Sequence, residues 1–258
     1  MELTGLSGSR VIVTAGGGGI GRVIAERFAE AGASVFTCDI DQTLCEGARC
    51  STPALCAAAA DVADVASVDC FFEEALAHLG GLDVLVNNAG IGGPVACVED
   101  VAPEDWRRTL DVNLTGAFLC TRRAVPALKE QGAGCIITMS SHYGLLGGPT
   151  RSPYVASKWA LIGFTKTLAM ELGPFGIRAN AICPGGVEGE RLERVIRMES
   201  EEKGMTCEQL REAWVRGCSL RTFVTPDDVA AMILFLCSEQ GRHISGQAIG
   251  VDGHTEFI

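Results

Sequence analysis

Short runs of β-branched and other apolar residues recur along the chain, and a segment of helical character follows each of them. Five of these runs lie at residues 11–14, 34–38, 82–88, 135–141 and 177–183. Such alternation of strand and helix predicts repeated βαβ units. The runs are continuously apolar, as is typical of strands in a parallel sheet that helices cover on both faces. The sequence therefore predicts an α/β fold with a doubly wound parallel sheet.

Two of the predicted helices carry end signals. Residues 22–32 have apolar positions at helical spacing and end at a glycine, the residue type favoured just past a helix. Residues 152–174 form a second predicted helix, in which Ser152 is able to cap the amino end and Pro153 suits the first turn. The pair Gly173-Pro174 is expected to end this helix.

A charged, helix-prone stretch at residues 188–217 interrupts the alternation and precedes a last helix and a last strand. We interpret this stretch as a lid over a substrate site. No internal repeat, low-complexity tract or linker rich in Pro and Ser marks a domain boundary. We therefore expect a single domain over residues 1–258.

The formal net charge of −11 disfavours binding to nucleic acids and to anionic membrane surfaces, because both carry phosphate groups. No run approaches the roughly 20 apolar residues that a membrane-spanning helix needs, and the opening MELTGLSGSR lacks the pattern of a secretion signal. The 12 cysteines are scattered without a CxxC pair, which favours reduced thiols over disulfides or a metal site. We expect a cytoplasmic protein with no nucleic-acid or membrane partner.

A glycine cluster lies directly between the first predicted strand and the first helix, in the sequence VIVTAGGGGIGR. The backbone N–H groups of such a turn and the amino end of the helix can bind a pyrophosphate, as in Rossmann-type folds. Asp39 ends the second strand, close to the spacing at which an acid meets the adenosine ribose hydroxyls. Its carboxylate would repel the 2′-phosphate of NADP, and TAGGGG holds no Lys or Arg. The sequence therefore predicts NAD as the cofactor.

Tyr154 and Lys158 are four residues apart on the second predicted helix, so that both side chains lie on one face. A phenol ordinarily ionises at about pH 10. A neighbouring ammonium, together with the positive ring of an oxidised nicotinamide, favours the phenolate and lowers the pKa of the phenol. Such a tyrosine can take the proton of an alcohol while hydride leaves for the cofactor, and it protonates the alkoxide in the reverse direction.

Further motifs follow in order, and with them the chain resembles the short-chain dehydrogenase/reductase family over nearly its whole length. Ser141 precedes Tyr154 by thirteen residues, which is the spacing of that family. The matching segments are TAGGGGIG at 14–21, Asp61-Val62, NNAG at 87–90, Asn113 in DVNLTG, Ser141 in MSS, YVASK at 154–158 and PGGV at 184–187. The resemblance implies a nicotinamide-dependent oxidoreductase that acts on CH–OH groups and needs no metal.

The resemblance also implies roles for individual residues. Tyr154 is the catalytic acid/base, and Ser141 binds the substrate oxygen. Lys158 binds the nicotinamide ribose and lowers the Tyr154 pKa, whereas Asn113 holds a water of a proton relay. The cofactor-binding residues are expected in the glycine turn, the second strand, the adenine pocket, the NNAG segment and the nicotinamide loop, namely Gly16, Gly19, Ile20, Gly21, Asp39, Ile40, Asp61, Val62, Asn88, Ala89, Gly90, Tyr154, Lys158, Pro184, Gly185 and Val187.

Two positions depart from the family pattern. Ala15 stands where the family usually has its first motif glycine, and its methyl group could crowd the approach of the phosphate. Gly189 stands where a threonine commonly contacts the carboxamide of the cofactor. Neither change removes a catalytic group.

Candidate substrate-facing residues flank the catalytic ones and are Gly93, His142, Arg151 and Gly186. Arg151 could bind an anionic or polyhydroxylated substrate through its forked donors, or it could be a solvated surface charge. His142 could be a wall of the site or a proton carrier. The substrate itself is expected to be a small molecule.

We expect oxidation of a secondary alcohol, such as a sugar, polyol or hydroxy acid, with NAD+. The nearest alternative is an NADH-dependent reductase of a ketone or 3-oxoacyl thioester. A catalytically silent cofactor-binding protein is a further alternative, although Ser, Tyr and Lys are all present. A sugar-nucleotide epimerase would also use Tyr and Lys, but such proteins usually carry a longer C-terminal substrate domain.

Members of this family usually form dimers or tetramers through two long central helices. We therefore expect a homotetramer or a homodimer by resemblance. The C-terminal HTEFI, residues 254–258, is short and apolar enough to pack against a neighbouring subunit.

Overall fold

A computed structural model describes residues 3–52 and 54–255 of the chain. Its strands are β1 (Arg10–Thr14), β2 (Ser34–Asp39), β3 (Leu55–Ala59), β4 (Val84–Asn87), β5 (Gly134–Met139), β6 (Ile177–Pro184) and β7 (Ala248–Val251). They form one parallel sheet in the spatial order β3-β2-β1-β4-β5-β6-β7. Of the C-terminal segment expected at a subunit contact, residues 256–258 lie outside the described ranges.

Helices connect the strands and cover the sheet. The α-helices of the described ranges are α1 (Gly19–Glu30), α2 (Gln42–Ser51), α3 (Val65–Leu79), α4 (Pro103–Leu110), α5 (Gly116–Gln131), α6 (Ser152–Leu172), α7 (Glu190–Lys203), α8 (Cys207–Gly217) and α9 (Pro226–Cys237). A π-helical turn, Asp111–Thr115, joins α4 to α5, and a 3-10 turn, His142–Gly144, follows β5. Among the described residues, we find no helix with the length and apolar character that a membrane crossing requires.

The hydrophobic core consists of two layers, one on each face of the sheet. Ile12 and Ile136 belong to the layer that α3, α5 and α6 cover. Val13 and Ile137, their neighbours in sequence, belong to the layer under α1 and α9. Adjacent side chains of a strand point to opposite faces, so helices on both sides of a sheet bury side chains of both faces. The predicted doubly wound parallel sheet is thereby confirmed.

Most of the predicted helix ends are confirmed, with one exception. Gly32 follows α1 with a φ of +84°, and Gly173 caps the carboxyl end of α6. Pro153 lies in the first turn of α6 as predicted. The cap predicted at Ser152 is wrong, because the helix begins at Ser152 itself and Arg151 takes the N-cap position without a side-chain cap bond. The Ser152 hydroxyl is buried without a hydrogen-bond partner among the described residues.

Strand β3 was not predicted from the sequence LCAAA, because alanine has little preference for strands. Its pairing with β2 supplies the missing stabilisation, in register from Val35 opposite Leu55 to Asp39 opposite Ala59. The small side chains also let α2 pack close to β3, where Ala57 forms part of a buried cluster. Tertiary contacts, rather than local sequence preference, therefore stabilise residues 55–59 as a strand.

The stretch predicted as a lid, residues 188–217, folds as the two helices α7 and α8. Leu192, Ile196 and Leu210 are buried between them, and Trp214 packs against this cluster. The segment therefore has a small core of its own beside the main sheet. Its role as a lid stays a prediction.

The turn between β1 and α1 contains a strained residue. Ala15 has a φ of +52°, in the left-handed region that favours glycine. This conformation gives a physical reason for the glycine that related proteins have here. Because the turn keeps this shape with alanine, the departure at Ala15 costs conformational energy of about 1–2 kcal/mol.

We predict that Ala15→Gly raises the free energy of unfolding by about 0.5–1 kcal/mol, because relief of the left-handed strain exceeds the added entropy of the unfolded chain. Urea unfolding at fixed protein concentration measures the change. Ala213→Gly, in the exposed middle of α8, is the matched control and should lower the free energy of unfolding by about 1 kcal/mol. Equal losses in both variants would contradict the strain at Ala15.

Candidate active site

The order of the strands reverses between β1 and β4, which opens a crevice at the carboxyl ends of these two strands. The glycine turn follows β1, and the segment with Asn88 follows β4. Ser141 follows β5, and Pro184 ends β6. The sheet therefore brings most of the predicted site segments to one edge.

Thr14, to which the sequence analysis gave no separate role, ties the glycine turn to the end of β4. Its Oγ1 accepts hydrogen bonds of 3.0 Å from the backbone N–H groups of Asn88 and Ala89. The Asn88 amide donates to the carbonyl oxygens of Thr14 and Ala15, at 2.9 and 3.1 Å. Asn88 and Ala89 thus fix the shape of the turn, a role that their position in the sequence did not reveal.

The glycine turn leaves room for a phosphate group. The amino end of α1 follows Gly18 without a side-chain cap, so its free N–H groups can bind an anion. Gly19 has a φ of +53°, and a Cβ at this position would meet no atom within 4 Å. Gly16 and Gly21 instead pack tightly, since a Cβ on Gly21 would lie 2.2 Å from the carbonyl oxygen of Ala15. The turn therefore fits the pyrophosphate of a dinucleotide.

Asp39 lies against this turn at the end of β2. A Cβ on Gly17 would lie 3.0 Å from Oδ2 of Asp39, so glycine permits the close approach of the carboxylate. Ile40 beside it is 64% exposed, and Ile20 packs against the core below the turn. Asp39 and Ile40 thus present a carboxylate and an apolar surface beside the turn, as an adenosine site requires.

The residues predicted for the adenine pocket follow β3. Oδ1 of Asp61 accepts a 2.9 Å hydrogen bond from the Ala63 N–H, and its Oδ2 lies 3.6 Å from the Arg108 guanidinium. Val62 is buried against Gly116, where a Cβ would lie 2.9 Å from Cγ2 of Val62. Both residues are held at the same edge of the sheet as Asp39.

Lys158 lies inside the protein beneath Tyr154. The side chain is 3% exposed, and its Nζ donates a 2.7 Å hydrogen bond to the carbonyl oxygen of Met139. Nζ lies 5.5 Å from the centre of the Tyr154 ring. Burial lowers the pKa of Lys158, although the negative charge of an ionised Tyr154 opposes this shift. The two groups therefore control each other's ionisation.

The pKa of Tyr154 is lowered from its ordinary value. Burial opposes ionisation of the phenol, but the positive charges of Lys158, Arg191 and Arg151 and a hydrogen bond with Ser141 favour the phenolate. Ser141 is itself fixed, because its Oγ accepts a 3.2 Å hydrogen bond from the Tyr143 N–H. The structure thus brings the predicted Ser141 and Lys158 together beside the Tyr154 phenol.

Asn113 lies in the π-helical turn between α4 and α5 and is 1% exposed. Its amide accepts a 2.7 Å hydrogen bond from the Ile91 N–H and donates at 3.0 Å to the Ile91 carbonyl oxygen and to Ser157 Oγ. Ser157 in turn donates to the backbone carbonyl of Tyr154 at 2.7 Å. Asn113 therefore links the loop after β4 to α6, and the water predicted for it stays a prediction.

The predicted nicotinamide loop follows β6, and its glycines pack closely against neighbouring residues. A Cβ on Gly185 would lie 2.8 Å from that of Asp252, and one on Gly186 would lie 2.6 Å from the Phe223 ring. Val187 pairs with Val224 in an isolated parallel bridge. Gly189, the second departure, has a φ of +134° and precedes α7, so that a threonine there would be strained.

Gly90 lies close to Asn113 and Lys158. A Cβ on Gly90 would lie 3.2 Å from Oδ1 of Asn113 and 3.5 Å from Nζ of Lys158. Its carbonyl oxygen accepts a 3.0 Å hydrogen bond from Arg191, which comes from α7. Gly93 has a φ of +66°, and a Cβ there would lie 2.7 Å from Thr109 Oγ1. Both glycines therefore keep the backbone close to its neighbours.

His142 is buried beside the site. Its Nδ1–H donates a 3.1 Å hydrogen bond to the carbonyl oxygen of Pro184, and Nε2 has no hydrogen-bond partner among the described residues. Burial lowers the pKa of His142, with the carbonyl of Pro184 opposing the shift. The ring is therefore neutral near pH 7 and offers Nε2 as an acceptor.

Arg151 joins the site to α7. The residue is 4% exposed, and its guanidinium donates to the Glu199 carboxylate of α7 at 3.3 Å and to the Gly92 carbonyl oxygen at 3.2 Å. The same group lies 5.2 Å from the centre of the Tyr154 ring. The alternative of a solvated surface charge is therefore wrong. Long-range pairing with Glu199 buries Arg151, and the local sequence carries no signal of that pairing.

Tyr143 borders the site and was not singled out from the sequence. Its ring meets that of Tyr154 edge-on, with 6.1 Å between the ring centres. A Cβ on Gly148 would lie 2.3 Å from the Tyr143 ring, so the loop before α6 presses on this side chain. Burial raises the pKa of Tyr143 to about 12. The pKa of Tyr143 is therefore raised, whereas the pKa of Tyr154 is lowered.

Comparisons with known proteins agree with this geometry. A protein-family profile described as "Enoyl-(Acyl carrier protein) reductase" matches residues 14–254. The chain is 36% identical to a D-beta-hydroxybutyrate dehydrogenase of Cupriavidus necator, over 96% of this chain and 98% of that protein. It resembles the structure of an NAD+-bound xylitol dehydrogenase with a TM-score of 0.94 and 27% identity, covering 97% and 100% of the two chains. It also resembles the structure of a 3-ketoacyl-(acyl-carrier-protein) reductase of Brucella melitensis complexed with NADH. The TM-score is 0.88 and the sequence identity is 33%, over 98% of this chain and 100% of that one.

We predict two separate tyrosine ionisations in the pH titration of ultraviolet absorbance, because the chain holds 2 tyrosines. Tyr154 should ionise below the ordinary pKa of a tyrosine and Tyr143 above it, at about 12. Lys158→Met should move the first step to higher pH by removing the adjacent positive charge. Lys166→Met, an exposed change on the same helix, is the control. A single step for both tyrosines would contradict this assignment.

We predict that removing either partner of the buried ion pair destabilises the protein strongly. Arg151→Met and Glu199→Met should each lower the free energy of unfolding by about 3–5 kcal/mol, because Glu199→Met leaves the buried Arg151 without its carboxylate and Arg151→Met leaves the buried Glu199 with the largely exposed Lys203 alone. The double variant should be more stable than either single variant. Urea unfolding measures these changes.

Lys203 provides the control for this ion pair. Its Nζ lies 3.0 Å from the other oxygen of Glu199, but its side chain is 42% exposed. Lys203→Met should cost less than about 1 kcal/mol, as exposed ion pairs do. A double variant that loses the sum of the two single losses would contradict the coupling of Arg151 and Glu199.

Proposed function

The chain belongs to the short-chain dehydrogenase/reductase family and is an oxidoreductase of CH–OH groups, and we propose that it oxidises a secondary alcohol with NAD+. The observation that carries this proposal is the pairing of Tyr154 with a buried Lys158, beside Ser141, at the edge of the sheet that holds the glycine turn. Burying the Lys158 ammonium costs free energy, and a protein that only binds the cofactor without catalysis would gain nothing from that cost.

The proposed reaction follows from the chemistry of these groups. The hydroxyl of Ser141 donates to the substrate oxygen and stabilises the charge that develops there. The Tyr154 phenolate accepts the proton of the substrate hydroxyl, and Lys158 stabilises that phenolate. A nicotinamide cofactor held at this edge of the sheet would supply the acceptor for the hydride of the substrate carbon. Tyr154 returns a proton to the substrate oxygen when the reaction runs towards the alcohol.

NAD is proposed over NADP because of Asp39. Its carboxylate can accept hydrogen bonds from the two ribose hydroxyls but repels a 2′-phosphate. The other proposed cofactor contacts are the free amino end of α1, the pair Asp61 and Val62, and two glycines. These glycines are Gly90, which lies beside Lys158, and Gly185, which lies beside Asp252.

The proposed substrate is a small sugar, polyol or hydroxy acid, held between the catalytic edge and the lid formed by α7 and α8. Arg151 and His142 supply polar groups beside the reactive oxygen, since Nε of Arg151 and Nε2 of His142 are buried without hydrogen-bond partners among the described residues. Gly93 and Gly186 are proposed to contact the substrate through their backbone. The likeness to a 3-ketoacyl reductase with NADH supports the reverse reaction on a ketone or 3-oxoacyl thioester as the second candidate.

We propose a homotetramer or homodimer that uses α5 and α6. Phe118 on α5 is 47% exposed, and Trp159 and Met170 on α6 are 51% and 81% exposed. A second copy of the chain would remove these side chains from water. We also propose a cytoplasmic location and a single domain over residues 1–258. The 12 cysteines are free thiols, as is usual in a reducing compartment.

The central experiment measures NAD+ and NADP+ reduction against a panel of sugars, polyols, hydroxy acids and steroids. We expect turnover with at least one secondary alcohol and a kcat/KM that is about tenfold or more higher with NAD+. Tyr154→Phe should lower kcat by about 10²–10⁴-fold, because it removes the proton acceptor. Undiminished turnover in Tyr154→Phe would contradict the mechanism.

Two controls separate catalysis from cofactor binding. NADH fluorescence should show that Tyr154→Phe still binds the cofactor, so that its lost turnover reports the chemical step. Asp39→Ser should shift preference towards NADP+, whereas Glu46→Gln, an exposed acid on α2, should leave the preference unchanged. A wild-type preference for NADP+ would overturn the role of Asp39.

We predict that Met170→Glu lowers the molar mass in solution from that of an oligomer, because it places charge at the proposed interface. Light scattering after size-exclusion chromatography measures the mass. Leu220→Glu, also highly exposed at 71% but distant from α5 and α6 in sequence, is the control and should leave the mass unchanged. A monomeric wild-type chain would contradict the proposed assembly.

A further inference from the structure

A second cavity lies at the edge of the sheet opposite the catalytic one. It has a volume of about 720 Å³ and is lined by residues that begin three strands, including Val84, Gly134 and Ile177. In a parallel sheet the amino ends of all strands meet at one edge, whereas Ser141 follows the carboxyl end of β5. The cavity is therefore separate from the proposed active site.

Two cysteine residues line the wall of this cavity. Cys135 is the second residue of β5 and is 2% exposed, whereas Cys237 ends α9 and is partly exposed. Cys237 packs against the same apolar cluster to which Cys135 belongs. Sγ of Cys135 also lies 3.9 Å from the carbonyl oxygen of Leu236, the residue before Cys237. The fold thus brings together two cysteines that are far apart in the sequence.

A guanidinium completes the cluster. Arg178 is the register partner of Cys135 on β6 and lines the same cavity. The neighbouring Cys237 lowers the pKa of Cys135, and the positive charge of Arg178 adds to this shift, whereas burial opposes it. By contrast, burial raises the pKa of Cys38 to about 12 and that of Cys120 well above its usual range. Cys135 is thus set apart from these other buried thiols of the core.

We propose that Cys135 and Cys237 form a peroxide-reactive dithiol, in which Cys135 is the attacking thiolate and Cys237 the resolving thiol. Both cysteines and Arg178 line the cavity, which is large enough to admit a small hydroperoxide, and the positive charge of Arg178 favours the thiolate. The partly exposed Cys237 lies next to the buried sulfur that it must attack. This site uses no group of the proposed alcohol oxidation, so either proposal can fail without the other.

The reaction proceeds in two balanced steps. The Cys135 thiolate attacks one oxygen of the hydroperoxide; the O–O bond breaks, an S–O bond forms, and the leaving oxygen departs as hydroxide or alkoxide and takes up a proton. The Cys237 sulfur then attacks the Cys135 sulfur, the S–O bond breaks, and water leaves with the proton of the Cys237 thiol. Two thiols are oxidised to a disulfide while the peroxide gains two electrons.

The test treats the reduced full chain with hydrogen peroxide and identifies oxidised cysteines by mass spectrometry of peptides. We expect the disulfide between Cys135 and Cys237 to form about tenfold faster than oxidation of the exposed Cys50 and Cys207, because the thiolate is the reactive form. This measurement uses the unsubstituted protein and does not depend on the folding of a variant. Faster oxidation of the exposed cysteines would overturn the proposal.

Variants assign the two roles. Cys237→Ser should form no disulfide and should accumulate a sulfenic acid at Cys135 that dimedone traps. Arg178→Met should slow disulfide formation by about tenfold, while Arg178→Lys, which keeps the positive charge, should slow it less. Cys207→Ser is the matched control and should react at the wild-type rate. A wild-type rate in Arg178→Met, or no sulfenic acid in Cys237→Ser, would contradict the assigned roles.

Discussion

The hydrogen bond from Lys158 to the carbonyl oxygen of Met139 holds a positive charge inside the protein, directly beneath the Tyr154 phenol. A buried ammonium is costly unless hydrogen bonds and nearby negative charge compensate it. Met139 ends β5, and Lys158 lies on α6, so this single contact joins the sheet to the helix that carries Tyr154. The ionisation of Tyr154, and with it the proposed chemistry, depends on the position of this charge.

The surrounding structure fixes that charge from two sides. Asn113 connects the loop after β4 to Ser157, whose hydroxyl bonds the backbone of Tyr154. Arg151, just before α6, connects the same helix to Glu199 of α7. A change in the position of α7 would therefore act on a cation that lies 5.2 Å from the Tyr154 ring centre.

The sequence predicted the features that depend on local chemistry. Apolar runs predicted the positions of β1, β2, β4, β5 and β6. The spacing of Tyr154 and Lys158 predicted that both side chains lie on the same face of one helix. Features that depend on contacts between distant segments were missed. The alanine-rich strand β3 forms because β2 pairs with it. Arg151 is buried because it pairs with Glu199, and the sequence does not reveal this pairing because Glu199 lies far along the chain. The strain at Ala15 likewise appears only in the backbone conformation, although the residue itself was recognised as a departure.

The pH dependence of kcat/KM for alcohol oxidation tests the central claim most directly, because it reports the ionisation of the free enzyme's base. The account predicts a rate that rises with pH through one ionisation, with an apparent pKa below the ordinary value of a tyrosine. In Lys158→Met the residual rate should rise only at higher pH, because the phenolate has lost its adjacent positive charge. The same apparent pKa in the wild type and in Lys158→Met would contradict the account.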